Sequence, residues 1–271
     1  MRPEKSRENV DRRSPTAFLA LLAVFSVPFW VLGGSRLDLP VALPVGALMA
    51  VCPLAAAVVL LVREGTWGDV RRLLRSCVDP RGVRPRALFL PLFLLLPAVT
   101  ALAGLIGWLA GRPQPVPDAA YLLVAVPTTA ALGFVGAVCE EAGWTGYLQG
   151  ALQRGRGALG AAVVVGVVWA TWHLPGWYLQ LGHDGAWTAG MWVATVALRV
   201  LIVWLWLRSG GSVFAAVLVH LMTNVCALPF PAQFDPVIVA PLLAVAALVV
   251  VPDLRRAERL SRRTPADPRC R

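Results

Sequence analysis

Glu140 and Glu141 are adjacent carboxylates that close a stretch, residues 119–139, carrying no charge. An ionised carboxylate in hydrocarbon costs roughly 2.5–3.5 kcal/mol even on a lenient insertion scale, so an acidic pair there calls for a protein-lined or wet cavity. Two further polar pairs lie in apolar runs, Trp169 with His173 and His220 with Asn224. A spacing of four puts both members of a pair on one helix face. His220 and Asn224 can therefore point at one small object, and Trp169 can shelter His173 from lipid. Consecutive glutamates diverge by about 100° around a helix, so only one of Glu140 and Glu141 can face that object. Carboxylate and imidazole are the side chains of proton transfer and metal ligation. A lone histidine on an apolar helix is usually a packing residue; two of them with a carboxylate pair, all at apolar depth, mark a site. His183, beside Asp184 and Gly185, reads as a solvated loop histidine.

The elements that must position these residues are membrane helices. The chain has 271 residues, 58% hydrophobic and 15% charged, with a mean hydropathy of +0.67. Those values exclude a soluble domain of this size. Apolar windows of about 20 residues recur with no strand-like alternation, which predicts an all-α polytopic transmembrane bundle. The net charge of +10 resides in arginines at the ends of apolar runs and in the tails, so the partner is a lipid bilayer, not nucleic acid. Five cysteines, Cys52, Cys77, Cys139, Cys226 and Cys270, show no CxxC spacing and predict neither a disulfide framework nor a thiolate metal site. Cys139 reads as a small apolar neighbour of the glutamates.

In order, a polar tail (1–15) precedes a first, uncleaved span at 16–34. Further spans follow at 39–62, 87–111, 119–153, 157–173, 190–207, 213–228 and 236–251, with Pro44 and Pro53 as bends in the second. The segment 63–86 carries seven arginines and reads as the longest polar loop. The residues Ser209-Gly210-Gly211-Ser212 read as a turn, residues 176–188 as an external loop, and 253–271 as a basic tail. Eight crossings place both termini and every strongly basic segment on the cytoplasmic side. The transmembrane domain is thus 16–252, with its site core at 119–226. No repeat of 20–50 residues points to an inverted-repeat transporter.

Three motifs carry a family resemblance. Glu140-Glu141-Ala-Gly-Trp-Thr-Gly-Tyr-Leu resembles EExxxR, often EExGWRGYL; Val168-Trp169-Ala-Thr-Trp-His173 is similar to FxxxH, with tryptophan for phenylalanine; and Gly210-Gly211-Ser212 followed by His220-Leu-Met-Thr-Asn224 is similar to HxxxN. In this order, over about 120–226, they resemble the CPBP intramembrane proteases, also called the CAAX protease and bacteriocin-processing or Abi family. The resemblance implies an eight-helix membrane endopeptidase with a site in a cavity open to one side of the bilayer. Glu140, with Glu141 beside it, would be the general base, His173 would hold and activate the attacking water, and His220 and Asn224 would stabilise the oxyanion. Glu140, His173 and His220 would equally make a one-carboxylate, two-histidine Zn2+ site with water in the open position, although no HExxH is present.

The motif arginine is Thr145 here, so the carboxylates lack their usual cation. Thr145 follows Glu141 by four residues, and its hydroxyl can reach that carboxylate. Arg199 lies alone midway along the sixth span, where it must snorkel or find a partner; the expectation is that it supplies the missing charge to Glu141 and leaves Glu140 free as base. The function expected is hydrolysis of a peptide bond in a membrane-associated substrate, CaaX-type or bacteriocin-like, by a multi-pass protein of a bacterial cell membrane. Thr145 favours the alternative, a catalytically impaired relative acting as a membrane scaffold or immunity-type protein.

Overall fold

A computed structural model describes residues 13–34, 36–37, 43–112 and 115–263. Helix α1 (Pro15–Leu32) is capped by Ser14, whose side chain accepts from the Ala17 amide. A two-residue antiparallel pair, β1 (Arg36–Leu37) and β2 (Leu43–Pro44), leads into a 3-10 turn (Val45–Ala50) and α2 (Val51–Glu64). Then come α3 (Trp67–Val78), α4 (Phe89–Leu109), α5 (Ala119–Gly143), α6 (Gly150–Leu174), α7 (Gly185–Arg208), α8 (Val213–Ala227) and α9 (Pro236–Arg263).

The fold is an all-α polytopic bundle. Six described stretches are long and apolar enough to cross a membrane, and the longest, 119–180, contains both α5 and α6. All eight expected spans have a helical counterpart. α8 is the short one: at 1.5 Å per residue its 15 residues reach about 22 Å, less than the roughly 30 Å hydrocarbon core. It compensates by lying inside the bundle, against α4, α5 and α7, with every residue from Ala215 to His220 buried.

Several expectations need correcting. The segment 63–86 is not simply a polar loop, because 67–78 forms α3. Thr66 and Asp69 build a reciprocal capping box at its start, and Val70, Leu73 and Cys77 point into the protein. These three are spaced to share a helix face, a stripe masked in the sequence by arginines between them. Pro44 lies in β2 and ends the extended segment, not bending a helix. The seventh element reaches back to Gly185, shortening the expected external loop. The C-terminal tail is not irregular at its start, since α9 continues to Arg263. Of the N-terminal tail only Arg13, Ser14 and Pro15 are described, and Pro15 already belongs to α1; Cys270 lies outside the described residues.

Candidate active site

Two helix hairpins bring the motifs together. Gly157 adopts φ +73°, a conformation glycine reaches without strain, and folds the second half of α6 back on the chain. Glu140 and His173 lie almost equally far to either side of it, so both arrive about 25 Å along their arms. The second turn, at 209–212, uses Gly210 (φ +76°) and Gly211 (φ +84°) and likewise levels Arg199 on α7 with His220 on α8. Gly166 lets α6 and α7 close: a Cβ there would lie 3.1 Å from both the Arg199 Cβ and the Val196 Cα. Both the glutamate and the His173 motif run into six-residue π-helical turns, Trp144–Gln149 and Pro175–Gln180, a distortion frequent at functional sites.

The two glutamates diverge as their spacing requires. Glu140 turns to the cavities. Its Oε2 accepts from the Trp169 indole N–H at 2.7 Å and the Trp144 indole N–H at 3.3 Å. Its Oε1 receives no hydrogen bond from the described residues and lies 4.0 Å from His220 Nε2. Glu141 turns away and is fully buried. Its Oε1 is 3.1 Å from His220 Nδ1, and its Oε2 accepts from Thr145 Oγ1 at 2.5 Å and Arg199 Nη1 at 2.8 Å. Arg199 Nη2 also donates to Thr145 Oγ1, 2.5 Å away. Arg199 has no exposed surface, so it does not snorkel. The cation missing from the first motif comes instead from α7, and Thr145 occupies the space between.

His173 Nδ1 is 3.0 Å from the Trp169 carbonyl oxygen. A carbonyl only accepts, so Nδ1 carries the hydrogen and neutral His173 presents an Nε2 lone pair. Two clefts meet here. One, of about 320 Å³, is lined by small residues including Gly33, Gly46, Ala47 and Gly176, with Glu140, His173, Trp177 and Gln180. The other, of about 330 Å³, brings Glu140, His173, His220 and Asn224 onto one surface, with Trp177, Trp187 and Phe234 among its apolar walls.

Four of the five sequence-predicted site residues therefore share a cleft, and Glu141 stands behind them. His183 is not a free loop side chain: its ring stacks on Trp187 at 3.5 Å between centroids and lines the aromatic cleft. Trp144 and Trp177 were missed as site residues. Trp144 stands within the first motif, but its position alone does not reveal that its N–H meets Glu140; Trp177, stacked on His173 at 5.0 Å, gives itself away only as the same-face neighbour four residues on.

The three residues of the zinc alternative, Glu140, His173 and His220, are turned to other partners as they stand. His220 uses Nδ1 on Glu141 and holds Nε2 at 4.0 Å from Glu140, Glu140 Oε2 is taken by two indoles, and among the described residues no three His, Cys, Asp or Glu are grouped to hold a metal.

Residues 122–226 match a protein family described as type II CAAX prenyl endopeptidase Rce1-like. The chain is also similar to CAAX prenyl protease 2 of Methanococcus maripaludis, with 25% identity over 97 residues, covering 33% of this chain and 36% of that relative. The match to this relative thus spans about a third of each protein, and the family match at 122–226 includes all three motifs.

Proposed function

We propose that this multi-pass membrane chain is an intramembrane endopeptidase of the CPBP family that cleaves a membrane-associated substrate by glutamate-activated water. The observation that carries this reading is the shared surface of Glu140, His173, His220 and Asn224 in one largely apolar cleft.

A water between Glu140 Oε1 and the His173 Nε2 lone pair donates one hydrogen to each acceptor and keeps a lone pair for the substrate. Glu140 takes a proton as the water oxygen bonds to the carbonyl carbon, and the carbonyl π pair moves onto its oxygen. The Asn224 amide, which has no hydrogen bond from the described residues, donates to that oxygen. His220, held through Nδ1 beside Glu141, donates to it from Nε2 when both ring nitrogens carry hydrogen. Collapse breaks the C–N bond, and Glu140 returns the proton to the leaving amine. Donors in a water-poor cleft act at low dielectric, where they stabilise developing charge most. No step is routed through a metal.

The name of the archaeal relative suggests a CaaX-type substrate, and the apolar cleft suits a hydrophobic group on it. Thr145 is the feature favouring an inactive scaffold, but Arg199 supplies the positive charge that Thr145 lacks, which supports the catalytic reading. The test is cleavage of prenylated CaaX peptides and an apolar peptide library by protein in nanodiscs. Wild type is expected to cleave, and Glu140→Gln, His173→Ala and His220→Ala to lose about 10²-fold or more while remaining folded. Full turnover by Glu140→Gln ends the general-base assignment. Activity is expected to survive chelation; a loss reversed by Zn2+ transfers the water to a metal at Glu140, His173 and His220.

A further inference from the structure

Trp169 touches all three ionisable members of the site. Its indole N–H donates to Glu140 Oε2 at 2.7 Å, its carbonyl fixes His173 Nδ1, and its ring lies 5.0 Å from the His220 ring. It is 4% exposed, so the hydrogen bond is shielded from water and joins a neutral donor to a carboxylate. The phenylalanine of the resembled motif could offer a ring and a carbonyl, but no N–H.

We propose that the Trp169 indole N–H is a positioning device that pins Glu140 by Oε2 and thereby presents Oε1 to the water. Trp144 is the secondary donor to the same oxygen, longer at 3.3 Å. Without these bonds nothing described holds the carboxylate, since His220 stands 4.0 Å away and Arg199 is committed to Glu141 and Thr145. Rotation of the carboxylate would bring either oxygen, or neither, toward the water. Misplacement of a reacting group by about 1 Å can cost on the order of 10²-fold in rate.

This inference rests on the protease reading, so its test has one arm that needs turnover and one that does not. In the first, Trp169→Phe is compared with wild type and with Trp204→Phe. Trp204 also donates to a carboxylate, Asp253, at 2.9 Å, but lines neither cleft. The expected result is a kcat lower by about 10–100-fold with KM within about twofold, while Trp204→Phe keeps wild-type kcat. Replacing Trp169 with 3-benzothienylalanine, which keeps the bicyclic shape and lacks the N–H, is expected to reproduce the loss even where phenylalanine impairs folding. In the second arm, ultraviolet resonance Raman difference spectra of wild type against Trp169→Phe should show one strongly hydrogen-bonded indole, and Glu140→Leu should weaken its signature. An unchanged kcat in the benzothienyl protein overturns the positioning role, and a free-indole signal for Trp169 overturns the bond itself. Absence of wild-type cleavage beside a bonded-indole signal counts against the protease reading and leaves the bond standing.

Discussion

At the scale of single residues, the site works by dividing labour between two neighbouring carboxylates. Glu140 is held at Oε2 by two neutral donors, and its Oε1 receives no hydrogen bond from the described residues. Glu141 is locked between Arg199, Thr145 and His220 and fixes the His220 ring that lines the cleft. Removing one partner of a buried ion pair leaves an uncompensated charge, at a cost of roughly 3–5 kcal/mol. Arg199→Leu should lower stability by about that much and reduce activity further by releasing His220. Adding Thr145→Arg returns a cation four residues from Glu141 on its own helix face and should recover much of both losses. Thermal unfolding and turnover of the two variants measure this, and an Arg199→Leu protein as stable and active as wild type contradicts it.

At the scale of elements, small residues decide how closely the helices carrying the site approach. Gly143 sits where α5 crosses α2: a Cβ there would be 2.5 Å from the Pro53 Cβ and 2.6 Å from its carbonyl oxygen. Neither contact is with a flexible side chain, so Gly143→Ala must push α2 and α5 apart. Overpacking of this kind costs about 1–3 kcal/mol, and here it also shifts Glu140, three residues away. The expected outcome is a lowered unfolding temperature together with a fall in kcat. Gly150→Ala is the control, because nothing lies within 4 Å of its added methyl.

At the scale of the whole molecule, the charge distribution predicts orientation. Arg72 is exposed on α3 and Asp184 is the N-cap of α7, and the eight-crossing topology puts them on opposite sides of the membrane. With the basic segments cytoplasmic, a cysteine placed as Arg72→Cys should react with an impermeant maleimide only from the cytoplasmic side. One placed as Asp184→Cys should react only from outside. Labelling in sealed vesicles of both orientations checks this, and labelling of both positions from one side refutes the eight-crossing topology.

The sequence by itself determined the class of fold and which polar residues meet at one cavity. Length and hydropathy leave a helix bundle as the way to satisfy the backbone polar groups of so many apolar segments, and carboxylate, imidazole and amide groups at apolar depth need a shared cavity, which singled out Glu140, His173, His220 and Asn224. Period-four spacing also told which residues share a face, and the cost of a buried guanidinium pointed Arg199 at Glu141. What one helix cannot specify is what another helix presents to it. The short α8 inside the bundle, the inward stripe of α3, His183 stacked on Trp187, and the indole of Trp169 on Glu140 all depend on where chain reversals at Gly157 and Gly210–Gly211 set the relative depth of neighbouring helices. Tertiary packing turned Glu140 to the cleft and Glu141 to the scaffold behind it, as the motif resemblance and the lone Arg199 imply; adjacency in sequence by itself fixes the angle between them but not the direction in which the pair faces.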